Sequence, residues 1–365
     1  MFSSLRVASF RNLVDEEIET AGKDVFLVGE NGQGKTNFLE ALYFCSYASS
    51  FRGVRDSELV RSGENGCSAS VLLREPGGGE TLHERLQVKY EGGKKTVTLD
   101  GKRVEDRKDL LNVAPCIVFC HEDMEFVSGS PERRRWFFDQ SQSLYNPVYL
   151  DDLLKYRKVL KNRNLVLKDS RGNASAAGPL LDVLDHQMAL YGMSLMQSRR
   201  EAAERFSATF SPLYEEVSGI DGICVKYIPS WKDDNADAAA ARLEQRREAD
   251  CFAGTSLSGP HRDRYMYSRR GNEFSGKAST GQRRLLALLL RISQARRFSE
   301  VTGKNPVLLL DDVLLELDPE KRRRFLSVMP GYDQAFYTFL PEEPYERYSK
   351  ADTLVYYMSG GRVTG

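Results

Sequence analysis

No stretch of this chain approaches the roughly eighteen consecutive apolar residues that a membrane span requires. The N-terminus, Met1-Phe2-Ser3-Ser4-Leu5-Arg6, lacks the basic-then-apolar pattern of a signal peptide. Both absences point to a cytoplasmic protein with no membrane role. Cysteine is sparse, with six residues at 45, 67, 116, 120, 224 and 251 and no C-x-x-C pair. Cys116, Cys120 and His121 lie close together, but no second ligand pair follows. Reduced thiols are therefore expected, not a metal site. Net charge is missing too: 52 basic residues balance 52 acidic ones. That excludes a surface that seeks polyanions everywhere and leaves local basic clusters open. No heptad is sustained long enough for a coiled coil, and there is no internal repeat. Aromatic platforms for stacking single-stranded bases are not evident.

What is present is an ordinary globular composition, 41% hydrophobic and 28% charged over 365 residues, with room for two domains. One stretch organises it. Gly29-Glu30-Asn31-Gly32-Gln33-Gly34-Lys35-Thr36 is the G-x-x-x-x-G-K-[ST] phosphate loop. Its glycines permit turn conformations closed to residues with a Cβ and let backbone amides approach a ligand. Lys35 reaches β- and γ-phosphates, and the Thr36 hydroxyl suits a Mg²⁺ shell. Val25-Phe26-Leu27-Val28 reads as a buried strand before the loop. Phe38, Ala41, Leu42 and Cys45 read as one face of a helix after it. The loop is thus expected at a helix N-terminus, where the dipole favours anions.

Far downstream, Pro306 to Leu310 reads as a buried strand ending in Asp311 and Asp312. Such a strand is the companion a phosphate loop needs. Asp311 is placed to hold Mg²⁺, and Asp312 to orient or deprotonate water. Some thirty residues earlier, Ser279-Thr280-Gly281-Gln282 opens an apolar helix. Ser279 is a natural N-cap and Gly281 permits close approach, so this is a second candidate anion site.

Elsewhere, residues 4 to 12 alternate around Leu5, Val7 and Phe10 and read as an edge strand, with 16 to 20 as its hairpin partner. Residues 68 to 100 read as a β-meander broken at Pro76 to Gly79 and at Gly92-Gly93, with a turn at Asp100-Gly101. From Ser130, a good N-cap before Pro131, to about 216 the pattern is helical. Residues 232 to 250 read as an exposed helix. Basic clusters occur at Arg52, Arg55 and Arg61; at Arg133 to Arg135; at Lys155, Arg157, Lys158, Lys161 and Arg163; and at Arg199 and Arg200. They favour contacts to a DNA backbone over base readout.

The order of phosphate loop, S-x-G-Q and acidic strand resembles the ABC-type ATPase heads. Gly32-Gln33-Gly34-Lys35-Thr36-Asn37, Ser50-Phe51-Arg52, Arg133 to Asp139, Arg163-Asn164, Ser258-Gly259-Pro260-His261-Arg262-Asp263 and Leu310-Asp311-Asp312-Val313 narrow it. These segments resemble the RecF family of bacterial DNA replication and repair proteins, relatives of the SMC heads. The resemblance runs in order from residue 5 to about 340.

It implies an α/β fold: an ABC-type P-loop ATPase head with a helical second lobe and no long coiled coil. Residues 1–127, completed by 300–365, would form lobe I, and 128–299 lobe II with the signature motif. It further implies ATP and Mg²⁺, with Asn37 beside the nucleotide and Ser279, Gly281 and Gln282 capping the ATP of a second copy. The resulting homodimer would be a weak, DNA-stimulated ATPase that closes on duplex DNA near single-strand gaps. RecO and RecR would be its partners and RecA loading its outcome. An SMC-like structural clamp and a small-molecule P-loop kinase are the alternatives. Three residues depart from the family pattern: Leu315 before Glu316-Leu317-Asp318, His121, and Arg264 after the G-P-H-R-D segment. Asp312 stands where most ABC heads carry Glu.

Overall fold

The computed structural model describes residues 1–74, 84–170, 178–314 and 317–365. The chain forms two compact units, Met1–Asp123 with Phe298–Gly365, and Met124–Arg297. The turn expected at Pro76 to Gly79 lies outside the described residues, as do Leu315 and Glu316.

Among the described residues, the first unit holds two six-stranded sheets. In one, Asp24–Val28 lies between Gln334–Phe339 and Thr353–Ser359. Val307–Leu310 and Cys116–Phe119 follow on one side, and Arg362–Thr364 closes the other edge. All pairings are parallel except the last. Asp24–Val28, Val307–Leu310 and Gln334–Phe339 are buried along their whole length. This is why Val25 to Val28 and Val307–Leu310 read as unbroken apolar runs. The register sets Val28 opposite Phe339, and Leu310 opposite Tyr337 and Phe119. The residues that follow Val28 and Leu310 therefore emerge at one edge of the sheet.

The second sheet is antiparallel, in the order Glu16–Glu19, Phe2–Ala8, Gly66–Leu73, Glu84–Glu91, Lys94–Leu99, Lys102–Arg103. The meander and the hairpin partner are present. The first strand, however, is interior and not an edge, because Gly66–Leu73 pairs along its free side. Alternation reports that one face is buried, as Leu5 and Val7 are. It does not report how many neighbours a strand has. At Asp100 and Gly101 φ is +48° and +76°, as an Asp-Gly hairpin turn requires.

Helix Lys35–Tyr47 shares one core with residues of both sheets, including Leu5, Val71, Val88, Leu27 and Phe336. The Phe38 and Phe336 rings lie 6.3 Å apart, and Phe10 and Phe44 5.8 Å apart. Buried on almost every side, this helix fixes the phosphate loop at its N-terminus against a close-packed interior.

The second unit is mainly helical, with Pro131–Ser143, Pro147–Asp169 and Gly178–Ser218. Ser130 and Asn146 cap the first two by accepting from Arg133 N and Tyr149 N, each with Pro at the helix start. Such a cap is worth about 1 kcal/mol. A small sheet of Ile223–Ile228, Arg264–Arg269 and Asn272–Glu273 completes the unit. The exposed helix expected over 232 to 250 is two helices, Ala236–Gln245 and Arg247–Ala253. It is not wholly exposed, since Ala239 and Leu243, one turn apart, pack in the core that holds Trp231. Among the described residues, no helix is long and apolar enough to cross a membrane.

Two arginines assigned to basic clusters are interior. Arg163 Nε donates to Asp185 at 2.6 Å, and its Nη1 donates to Asp250 and the Ser256 hydroxyl at 2.7 Å each. Arg199 binds Asp139, Asp263 and the Pro260 carbonyl. Neither is exposed at the surface. Of the third cluster Lys155, Arg157, Lys158 and Lys161 are exposed.

His261 lies beside these networks. Its Nε2 is 3.0 Å from Ser256 O and its Nδ1 2.7 Å from the Tyr156 hydroxyl. A neutral ring with the proton on Nε2 satisfies both. Burial first, then the positive charges of Arg262, Arg135 and Arg163, lower its pKa to about 4. Between the unfolded value near 6.5 and 4, the unfolded chain binds the extra proton, so stability falls as pH drops through that window. We expect a loss of up to about 3 kcal/mol. Urea midpoints at pH 7.5 and 5.0 check it: the fall should be visibly smaller in His261→Gln than in the parent.

Candidate functional site

Strand Asp24–Val28 delivers the chain to the sheet edge, where the loop from Gly29 to Gly34 turns into helix Lys35–Tyr47. Gly29 N–H donates to Phe339 O at 3.1 Å, and a Cβ at Gly29 would stand 2.6 Å from Met358 O. Gly32 and Gly34 have φ of +79° and +111°, where a side chain is strained. No side chain caps the helix, so its first-turn amides and its dipole face the loop's concavity. Lys35 is buried, and its Nζ donates to Gly29 O at 2.7 Å and to Glu30 O at 3.3 Å. Its ammonium is thus held against the loop that it follows.

Thr36 Oγ1 donates to Asp311 Oδ1 at 2.9 Å. The structure therefore brings together two residues 275 positions apart that sequence reasoning paired by chemistry alone. Asp311 N–H is tied to Phe119 O at 2.9 Å. Burial, and next the neighbouring Asp312 carboxylate, raise the Asp311 carboxyl to about 6 against the opposing Thr36 hydrogen bond. Asp312 has a left-handed backbone, φ +51°, which costs a non-glycine residue about 1 kcal/mol. Thr338 holds it there. Its Oγ1 accepts from Asp312 N at 2.7 Å, and lies 2.8 Å from Asp312 Oδ1 and 3.3 Å from Asp311 Oδ1.

A cleft of about 210 Å³ opens beside these groups. It is lined by Glu30, Asn31, Gly32, Gly34, Lys35, Thr36, Asn37, Arg52 and Asp312. Arg52 donates to Asn37 Oδ1 at 3.2 Å and lies 3.6 Å from Glu40. Glu40 is fully buried and also accepts from Arg11 at 3.0 Å and Ser50 at 2.5 Å. A buried carboxylate thus sets one cation at the cleft mouth.

Sequence reasoning missed Thr338 and Glu40. The signal for Thr338 was a single aliphatic hydroxyl in the otherwise aromatic and apolar run from Ala335 to Phe339. Glu40 had none, since a helix carboxylate reads as solvated.

The S-x-G-Q segment belongs to the second unit. Ser279 Oγ accepts from Gln282 N at 3.2 Å, and Gln282 Oε1 accepts from Ser279 N at 2.8 Å. This reciprocal capping box opens helix Thr280–Thr302. A Cβ at Gly281 would meet nothing within 4 Å, so packing inside this chain does not demand glycine there. Of the departures from the family pattern, Arg264 is exposed at the start of its strand. His121 opens a short 3₁₀ turn ending at Met124.

The model of the RecF/RecN/SMC N-terminal domain matches residues 1–358. The chain is 44% identical over 355 residues to the DNA replication and repair protein RecF of Treponema pallidum, covering 97% of this chain and 98% of that one. A protein of the same name from Clostridium perfringens is 32% identical over 364 residues, covering 99% and 98%. Among solved structures, the recombination mediator protein RecF with ATP, of the RecFOR pathway, matches with a TM-score of 0.88 at 29% identity, covering 100% of this chain and 96% of that one. An Smc head bound to the C-winged helix domain of ScpA matches with a TM-score of 0.55 at 15% identity, covering 100% and 96%, and shares the fold.

Proposed function

The chain belongs to the RecF/RecN/SMC N-terminal domain family, and from that premise we propose that it is an ATP-dependent DNA-binding protein of recombinational gap repair. Its ABC-type ATPase fold, and relatives named for DNA replication and repair and for ATP in the RecFOR pathway, support this. The observation that carries it is the Thr36–Asp311–Thr338–Asp312 cluster at the mouth of the phosphate loop.

ATP lies along Gly29 to Asn37, with its β-phosphate on the loop amides and Lys35 Nζ reaching the β- and γ-phosphates. The Thr36 hydroxyl and Asp311 carboxylate are hard oxygen donors that already meet at 2.9 Å. They fit Mg²⁺, which would neutralise developing phosphate charge there. Asp312 orients the attacking water. Ser279, Gly281 and Gln282 of one copy cap the nucleotide of another, so that ATP joins two copies into a homodimer with two sites. The dimer closes on duplex DNA near a single-strand gap. It contacts the backbone through surface cations such as Lys155, Lys158 and Lys161, and it opens after slow, DNA-stimulated hydrolysis. RecO and RecR are its partners, and RecA loading is the outcome.

Lys35→Ala tests this. Without the ammonium, ATP binding should fall at least tenfold and ATP-driven dimerisation should disappear, with the melting midpoint of the nucleotide-free chain nearly unchanged. Sedimentation velocity with and without ATP reads the outcome. A variant that still dimerises on ATP would sink the assignment.

A further inference from the structure

The peptide between Gln33 and Gly34 sits inside the phosphate loop. A trans peptide is planar, with carbonyl and N–H on opposite sides, so whatever holds the carbonyl of Gln33 also aims the N–H of Gly34. The group that holds it is remote in sequence. Gly361 N–H donates to Gln33 O at 3.0 Å, and Gly360 N–H donates to Gln33 Oε1 at 2.6 Å. One residue of the loop is thus gripped at both its backbone and its side chain.

Gly360 and Gly361 are the turn of the hairpin that joins Thr353–Ser359 to Arg362–Thr364. Their φ values, +57° and +82°, suit a two-residue turn. The hairpin is anchored independently of the loop. Val14 N–H donates to Gly361 O at 2.9 Å, Val363 N–H to Glu16 Oε1 at 3.0 Å, and the Tyr356 hydroxyl to Glu19 O at 2.7 Å. It therefore ties the loop to the antiparallel sheet. Fit at the tip is close, since a Cβ on Gly361 would lie 1.8 Å from Asn12 O. Asn12 itself donates from Nδ2 to Gly32 O at 3.3 Å. Two consecutive loop carbonyls, Gly32 and Gln33, are thus held by donors from outside the loop.

We infer that the C-terminal hairpin is a latch that presets the Gly34 amide for a β-phosphate, making Gly360 and Gly361 positioning residues of the nucleotide site. The inference rests on the ATP-site reading above. A hairpin that only closed a sheet edge would need neither Gln33 contact. Presetting removes an ordering cost that the ligand would otherwise meet on binding.

Calorimetry on the full chain tests it, with ADP and AMP as probes. In Gly361→Ala the new methyl drives the tip off Asn12, and ADP affinity should fall about tenfold or more. AMP, which lacks the β-phosphate, should bind as it does to the parent. Gln33→Met keeps the side-chain length on a half-exposed loop and replaces the carboxamide, and with it the Oε1 acceptor of the Gly360 N–H, with a thioether. It does not threaten the fold, and its ADP affinity should fall several-fold. Variants that bind ADP as tightly as a binding-competent parent would overturn the latch alone, as would equal losses of ADP and AMP. A parent that binds no ADP would overturn the ATP-site reading and the latch with it.

Discussion

Arg199→Met is expected to lower the stability of the second unit by about 3–5 kcal/mol, the cost of leaving buried partner charges uncompensated. Arg199 is 2% exposed. Its Nε and Nη2 grip Asp139 at 2.9 to 3.0 Å, and its Nη1 reaches Asp263 at 2.8 Å and Pro260 O at 2.6 Å. The Tyr149 and Tyr227 hydroxyls bind the same two carboxylates. Burial works against the guanidinium's charge, but Asp139 and its neighbours outweigh it and hold its pKa above the ordinary arginine range. For Asp263 burial dominates and raises the pKa even with Arg199 present.

Methionine fills much of the volume and removes the charge. Asp139 and Asp263 must then stay ionised in a dry interior or take up protons. Burial already raises the Asp263 pKa in the parent, and losing Arg199 raises it further, so proton uptake by the folded variant offsets part of the loss, and its deficit against the parent should shrink between pH 8 and pH 5. The adjacent Arg200 is exposed, and Arg200→Met should stay within about 0.5 kcal/mol of the parent. Urea unfolding of both variants at the two pH values is the measurement. If Arg199→Met unfolds like the parent, the network does not hold this unit together.

The same residue marks where the sequence stops being legible. Arg199-Arg200 and the run from Lys155 to Arg163 read as surface clusters, because charged residues in helices are solvated by default. Their partners, Asp139, Asp185, Asp250 and Asp263, lie 22 to 87 residues away, and no periodicity links them. The phosphate loop was legible because its chemistry is local: a buried strand, glycines at positive φ and an uncapped helix start lie within about twenty residues. The acidic strand was legible because both faces are covered, which leaves an apolar run with carboxylates only at its end. Thr338 was not, because its value comes from the register that sets Leu310 beside Tyr337. Neither were the loop's outside supports, Asn12 and the terminal hairpin, since turn glycines signal a turn and not what the turn touches.

That register bears on the last expectation. Asp312→Asn should lower ATP hydrolysis about a hundredfold or more while leaving ATP affinity nearly unchanged. The substituted side chain keeps an Oδ1 that can accept from Thr338, whose hydroxyl lies 2.8 Å from Asp312 Oδ1, and the backbone N–H that donates to Thr338 at 2.7 Å is unaltered. The left-handed backbone is tolerated by Asn as well as by Asp. The change therefore removes the charge and the basicity and little else. General-base assistance is worth about 10²–10⁴ in rate. The Mg²⁺ and phosphate contacts assigned to Thr36, Asp311 and Lys35 are untouched. In the parent, Asp312 is already one methylene shorter than the Glu of most ABC heads, and misplacement by ~1 Å can cost about a hundredfold. The parent should thus be slow, its ATP-joined dimer long-lived, and the variant's dimer longer-lived still. Dimer lifetime after chasing ATP with ADP, read beside single-turnover hydrolysis, tests this. Thr338→Val is the companion, because it keeps the carboxylate but frees it from its support. It should slow hydrolysis less than Asp312→Asn and keep ATP affinity. Equal dimer lifetimes in parent and Asp312→Asn, with normal hydrolysis in the variant, would show that Asp312 is not the group that handles the water.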